Sequence, residues 1–261
     1  MRKKRRSQII DIIKFAAVVM ACAWLLVHGS SKLGYNWQMF RMPRYLFTME
    51  DGVFTSGPLL KGLAVTLKIS GISLVLAFVF GLSTALLRLS DSFVARSLAR
   101  VYLELVRNTP LLVQIFFIYF VIAPIMDIDR FVSAILALSL FEGAYASEIF
   151  RAGIVAIRKG QWEAAHSLGM NTFHTYRWII LPQAIRRILP PLVGQGIALI
   201  KDSALVSTIA VYDLTMRGQV IVAKTFLTFE VWFTVAAIYL VITVTLSLIV
   251  NVLENRIKII T

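Results

Sequence analysis

Charge is what this chain of 261 residues has least of: 16% of it is Asp, Glu, Lys or Arg, against roughly 25% in an ordinary soluble domain. Acidic residues are scarcer than basic ones, 14 against 27. One cysteine, Cys22, excludes an internal disulfide. The three histidines, His28, His166 and His174, have no cysteine neighbours and no zinc-ligand spacing. No G-x-x-x-x-G-K-[ST] loop is present, so the chain does not bind ATP by that route, and no G-x-S-x-G elbow marks a hydrolase. A membrane enzyme would need acids or histidines clustered at one interface, and a self-contained secondary transporter often shows an internal repeat. Neither pattern is found.

Apolar residues make up the balance, 58% of the chain, and the mean hydropathy is +0.78. A soluble domain of this length would need more polar surface to cover such a core, so the composition specifies an integral membrane protein. In a soluble protein the net charge of +13 would point to nucleic acid. Here Lys and Arg flank apolar runs, which makes the charge topological and leaves no nucleic-acid partner.

A membrane span needs about 20 mainly apolar residues. Six segments qualify. The first is Ile9 to His28, behind the basic run Arg2 to Arg6; an uncleaved helix fits its length better than a signal peptide. The others run over Ile69–Leu87, about Val101–Met126, Phe131 to about Phe150, about Ile188–Tyr212, and Val231–Leu253. No strand alternation competes, so the fold class is all-α, a polytopic protein of six transmembrane helices. Residues 29–57 between the first two spans are mixed, and the aromatic run 35–41 reads as a short interfacial helix or a loop. Asp127-Ile128-Asp129 reads as a polar turn. With the N-terminus inside, inner segments hold eighteen Lys and Arg and outer segments six, which puts both termini in the cytoplasm.

The longest hydrophilic inner segment is 151–187. Gln161 to Ala165 is good helix-forming sequence, Gly169 is a natural stop, and a second helical stretch, Thr172–Ile180, is expected to end before Pro182. Two short helices along the membrane would present a surface to a cytosolic partner.

This segment carries a recognisable signal. Glu163-Ala164-Ala165, then Gly169 after three intervening residues, then Ile179-x-Leu181-Pro182 after nine more, match the EAA loop of ABC importer permeases. The surrounding chain resembles the polar amino acid branch of that superfamily (histidine, glutamine, arginine or glutamate type). Val106 to Gln114, Gly143 to Ile149 with Arg151 to Ile154, Gly160 to Ala165, Leu181 to Ala184 with Leu189 to Pro191, and Lys201 to Leu205 carry the likeness, in order. It covers about 57–255. The resemblance implies a five-helix permease domain over 57–255, preceded by an added helix and outer segment in 1–56 and followed by a cytoplasmic tail, 256–261. It further implies a transport subunit with no ATPase site of its own in a bacterial inner membrane. The partners it implies are a second permease (the same or a sister chain), two cytosolic ATPase subunits that bind ATP-Mg, and a periplasmic or surface substrate-binding protein. Membrane lipid surrounds the spans. Glu163, Ala164, Ala165 and Gly169 would couple to the ATPase: a short helix is a stiff lever, alanines let it sit deep in a groove, and Glu163 can cap amides or meet a basic residue. A glutamine or glutamate type of cargo is expected.

Charges inside spans are costly and usually face a cavity or a partner. Glu142, Lys201 and Asp202 stand out, with Gln114 and Asn108 as neutral hydrogen-bonding groups. Lys201 could pair with Glu142 or Asp202, or these residues could hold the two charges of an amino acid; a structural or subunit-interface network is the alternative.

The charge asymmetry predicts that Asn171→Cys, in the inner loop, escapes an impermeant thiol reagent in intact cells and reacts once the membrane is permeabilised. Labelling in intact cells would overturn the topology.

Overall fold

The computed structural model describes residues 2–32, 34–50 and 53–257. These divide into two compact units, 1–40 and 41–261. The first is one long helix, α1 (Arg2–Lys32), followed by irregular chain. Its apolar stretch, Ile10–Gly29, is long enough to span a bilayer, and Cys22 is an exposed free thiol on it.

The second unit opens with two short helical turns, Met39–Arg41 extending into it and Pro43–Leu46, and then a hairpin of β1 (Phe47–Glu50) and β2 (Val53–Ser56), antiparallel with Phe47 opposite Ser56. The hairpin is a small departure from the all-helical expectation. Ahead of the hairpin, Met42, Tyr45 and Leu46 pack into the apolar cluster of Leu59, Leu214 and Val231, which ties them to the second unit.

Helix α2 (Pro58–Leu89) starts with proline at its first turn, where the missing N–H costs nothing. Its buried face is rich in small residues at helical spacing, Gly62, Thr66, Ser70, Ser73, Ala77, Gly81 and Thr84, beside the larger Leu59 and Ile69. Inside a membrane no hydrophobic force drives helices together, so close backbone approach through small residues takes its place. The partner is α5 (Arg130–Val155), which brings Gly143, Ala146 and Ser147 against Gly81. A Cβ on Gly81 would lie 2.8 Å from that of Ala146. Ser73 Oγ donates to the Ile135 carbonyl across the seam at 3.4 Å; membrane bonds of this kind contribute about 0.6 kcal/mol on average.

The expected span Val101–Met126 is broken in the structure. Residues Phe93–Arg107 form α3 and Leu111–Met126 form α4, with 106° between them. Pro110 explains the break: it has no N–H to continue a helix, and it forces Thr109 out of the helical region. The bend is then braced by side chains. Asn108 Nδ2 donates to Glu104 O and Oε2 at 2.8 and 2.7 Å. Gln114 Nε2 donates to Val106 O at 2.7 Å and to Thr109 O at 3.0 Å. Helix α3 is amphipathic, with Val94, Leu98, Val101 and Leu105 outward and Ala99 and Leu103 buried. The span that remains, α4, contains a π turn at Ile118–Ile122 and ends on Asp127 in the left-handed region. Asp129 Oδ1 then caps α5 by accepting from Val132 N at 2.7 Å, so the acidic triplet is a helix–helix turn.

After α6 (Lys159–Ser167) the chain enters α7 (Thr172–Ile209), which does not stop before Pro182. A π turn at Thr175–Ile180 opens the backbone just ahead of the proline, relieving the clash with the carbonyl four residues earlier. Pro190 and Pro191 also lie inside this helix, and its last part, Ser203–Ile209, tightens to a 3-10 turn. A short helix α8 (Leu214–Thr225), capped by Asp213 accepting from Met216 N at 2.8 Å, leads to α9 (Thr228–Ile257). The described residues hold five helices long and apolar enough to cross a membrane, or six counting the bent pair as one. Residues 258–261 of the expected tail lie outside the described residues.

Gly153 marks the tightest α5–α7 contact, since a Cβ there would stand 2.1 Å from Ile188 Cγ1. Overpacking of this kind costs about 1–3 kcal/mol. Gly153→Val should therefore lower the thermal midpoint of the detergent-purified protein, and Ile188→Ala in the same chain should restore part of it. An unchanged midpoint for Gly153→Val would show that this contact yields freely.

Candidate functional site

Two regions carry functional chemistry. The first is the loop between α5 and α7. Helix α6 holds Glu163-Ala164-Ala165 in its middle. Ala165 is buried, and Glu163 and Ala164 are exposed. Glu163 sits too far along the helix to cap its first amides, and its carboxylate has no side-chain partner among the described residues. The capping role is thereby removed and the charge is left facing outward.

The helix ends in a left-handed glycine. Gly169 has φ +73°, Gly169 N donates to His166 O at 2.9 Å, and Met170 N donates to Ala165 O at 3.1 Å. This pair of bonds is the Schellman arrangement, which favours glycine at the reversal. Asn171 Oδ1 restarts the helix by accepting from His174 N at 2.9 Å. The two arms are fixed to each other: Trp162 meets Tyr176 edge-on at 5.0 Å, and Gln183 Nε2 donates to Gln161 Oε1 at 3.1 Å. Ile154, Ile157, Ile180, Ala184 and Ile188 form the apolar seam beneath. The outer surface of the loop presents Leu168 and Phe173, both well exposed.

The second region lies inside the bundle. Glu142, on α5, is 1% exposed. Its Oε2 accepts a short hydrogen bond from Gln195 Nε2 on α7. Asp202, about two turns further along α7, brings its carboxyl within hydrogen-bonding range of Glu142. Oε1 of Glu142 meets no N–H or hydroxyl donor among the described residues, and the Asp202 carboxyl is its near neighbour. A buried polar oxygen without a donor carries a free-energy cost of about 1–3 kcal/mol, and a bound donor would remove it.

Of the five residues singled out for a translocation path, the structure joins Glu142 and Asp202. Lys201 is exposed; it acts on Asp202 by its charge but forms no ion pair with Glu142 among the described residues. Asn108 and Gln114 are engaged at the α3–α4 bend and do not reach Glu142. Gln195 was not anticipated. It lies 53 positions from Glu142, and the one hint in the sequence is a polar amide between Gly194 and Gly196 inside an apolar run.

A further unanticipated feature is Glu148, just under two turns beyond Glu142 on α5. It accepts from Arg88 Nη1 of α2 at 2.6 Å, Arg107 Nη1 of α3 at 3.0 Å and Arg151 Nη2 of its own helix at 3.2 Å.

A many-helix membrane bundle with a stiff helix–glycine–helix loop at one end and a buried polar pair inside defines a transport permease. Residues 77–259 match the family of binding-protein-dependent transport system inner membrane components, and the chain belongs to that family. It is 41% identical over 204 residues to the glutamine transport system permease protein GlnP of Escherichia coli (strain K12), covering 77% of this chain and 93% of that one. It is likewise 41% identical over 197 residues to the L-cystine transport system permease protein TcyB of Bacillus subtilis (strain 168), covering 75% and 84%. Among solved structures, an amino acid ABC transporter superposes with TM-score 0.77 at 36% identity, covering 85% of this chain and 100% of that chain. The MetNI methionine ABC transporter shares the fold, with TM-score 0.68 at 17% identity.

Glu142→Gln keeps the shape of the side chain and its contact with Gln195 but removes the charge. Transport or selectivity of the reconstituted system should change severalfold while assembly and basal ATP hydrolysis persist. Failure to assemble would make Glu142 a structural residue, and unchanged transport would place the cargo path elsewhere.

Proposed function

We propose that this chain is the membrane-spanning permease subunit of an ATP-driven importer of polar amino acids, with a glutamine-type cargo. Its ATP-Mg is held by a separate cytosolic ATPase, its cargo is delivered by an extracytoplasmic binding protein, and a second permease, identical or sister, completes the pathway. Both termini and the α6 loop face the cytoplasm, as the basic-residue asymmetry requires.

The observation that carries the reading is the construction of α6. A helix that transmits force must be stiff, exposed to its driver and locked to what it moves. Glu163 and Ala164 are exposed, Ala165 and Trp162 anchor the helix to the base of α7, and α7 continues from there to Gln195, which bonds Glu142. Docking and withdrawal of an ATPase pair beneath α6 would therefore tilt α7 and alter the environment of Glu142. An ammonium group suits the paired carboxyls of Glu142 and Asp202, and the relatives named for glutamine and cystine transport are consistent with a cargo that carries one.

Glu163→Lys reverses the charge offered to the ATPase. Gly169→Val puts a β-branched residue where φ is positive, a conformation costing L-residues roughly 1–2 kcal/mol. Both variants should insert normally yet lose ATPase docking or cargo-stimulated ATP hydrolysis, read by co-purification and by phosphate release. Normal transport by both would remove the loop from coupling.

A further inference from the structure

The cleft around Glu148 is larger than its ion pairs need and more basic than its acids can balance. It occupies about 590 Å3, within the range of about 300–1,000 Å3 typical of small-ligand sites. Five arginines line it, Arg88, Arg96, Arg100, Arg107 and Arg151, against the two acids Glu104 and Glu148, which leaves three positive charges in excess. Glu148 takes Arg88, Arg107 and Arg151. Arg96 Nη1 donates to Ser90 O at 3.0 Å, a neutral acceptor, and Arg100 makes no hydrogen bond or ion pair among the described residues. Glu104 Oε2 accepts from Asn108 Nδ2 at 2.7 Å, and Asp91, the acid of the α2–α3 turn, does not line the cleft. Two guanidinium groups therefore line the recess without a paired acid.

The direction in which these arginines point identifies the medium that supplies a counter-ion. Helix α3 stands at 106° to the span that follows, so it runs along the bilayer plane. Its exposed apolar residues Val94, Leu98, Val101 and Leu105 fall on one face at about 100° per residue, and Arg96, Arg100 and Arg107 fall on roughly the opposite one. On α2 the exposed Leu82 and Leu86 are likewise turned well away from Arg88. The surfaces that meet acyl chains thus lie outside the cleft, and the arginines look away from them toward water. With the α6 loop inward, as proposed above, that water is the cytosol. The counter-ion is accordingly a soluble one.

A single carboxylate would neutralise one charge of the three. A phosphate compound with two or more negative charges matches the excess better. The cations that line the recess are all arginine, and the planar guanidinium fork meets phosphate oxygens in two parallel bonds where an ammonium acts as a point charge. We propose that this cleft is a binding site for a soluble phosphate compound carrying two or more negative charges, with Arg96 and Arg100 as its principal ligands. Arg88, Arg107 and Arg151, held by Glu148, form the basic wall behind it. Tyr145, half-buried on the same wall, offers a ring to the rest of a larger ligand. The site adjoins the seat of the α6 loop, because Leu89 both lines the cleft and packs in the apolar seam with Trp162 and Tyr176. This rests on the inward orientation of that end of the bundle and not on the cargo.

The test is titration calorimetry of the detergent-purified full-length chain with two probes, pyrophosphate and adenosine 5′-diphosphate, at an ionic strength held constant with potassium gluconate. The wild-type chain should bind pyrophosphate saturably. Tighter binding of the nucleotide would show that the cleft also holds an organic moiety, and equal binding that it reads phosphate alone; either result supports the site. Arg96→Gln/Arg100→Gln should weaken binding by about tenfold or more, as expected for loss of two charge-assisted contacts, whereas Arg96→Lys/Arg100→Lys, which keeps the charge, should lose less. Thermal midpoints check that the variants are folded, and Arg100→Gln alone serves if the double variant is not. Absence of saturable binding of both probes by the wild-type chain, or unchanged affinity in a folded Gln variant, overturns the proposal. If neither probe binds and the folded double variant loses the ATPase on co-purification, the cleft belongs to an acidic protein surface. The calorimetry involves neither cargo nor ATPase. Failure of the importer reading is therefore seen separately, in the Glu163→Lys experiment, and failure of the orientation in the labelling of Asn171→Cys.

Discussion

One carboxylate organises an entire end of this bundle. Glu148 receives guanidinium groups from α2, α3 and α5, the helices whose ends would otherwise repel one another. Its side chain is 28% exposed, so the pairs are neither fully screened nor fully desolvated. A single surface pair is worth little, but a network converging on one acid fixes relative positions as no isolated pair could. It can do so because α2 and α5 already touch backbone to backbone along their small-residue seam, which brings Arg88 within reach of Glu148. With a bulkier residue at Gly81, the arginine would lose its acid. The position of α3 follows in turn, through Arg107 and through the Tyr102 hydroxyl that donates to Leu140 O.

The parts of the fold that depend on local chemistry were legible in the sequence, and those that depend on distant contact were not. Gly169 could be read as a reversal because only a left-handed residue closes that turn, and the spacing of the loop fixes which residue must be glycine. Spans were legible because length and apolarity are local sums. The broken third span was misplaced for a specific reason: Val101–Met126 is a mainly apolar run interrupted by Glu104 and Arg107, and Pro110 alone does not end a membrane helix. The corrective signal was present in the pattern Val94, Leu98, Val101, Leu105, which is amphipathic and therefore interfacial. Likewise Pro182 was read as a helix stop, whereas a π turn absorbs it.

The Glu142 site shows the limit more sharply. Its acid and Asp202 could be found as charges in apolar segments, but the choice of partner could not. Lys201 and Asp202 are sequence neighbours about 100° apart on a helix, so they cannot both face Glu142. The structure turns Asp202 inward and Lys201 outward, and gives Glu142 an amide rather than an ammonium. An ion pair there would have saturated Glu142. The amide satisfies one oxygen and leaves the carboxyl facing Asp202.

That difference bears on how the two ends of the molecule communicate. Helix α7 meets α6 at Gln183 and meets Glu142 at Gln195, 12 residues or about 18 Å further on. Its stiffness between those points is interrupted at Pro190 and Pro191, each of which removes a backbone bond. A helix without them would carry any displacement of α6 to Gln195 as a rigid rod. With them, the segment above the prolines can keep its contact with Glu142 through small movements of the base and yield only to larger ones. A single hydrogen bond from a neutral amide at the far end matches that mechanical task better than an ion pair to a cationic side chain, because breaking it leaves no uncompensated charge on Gln195.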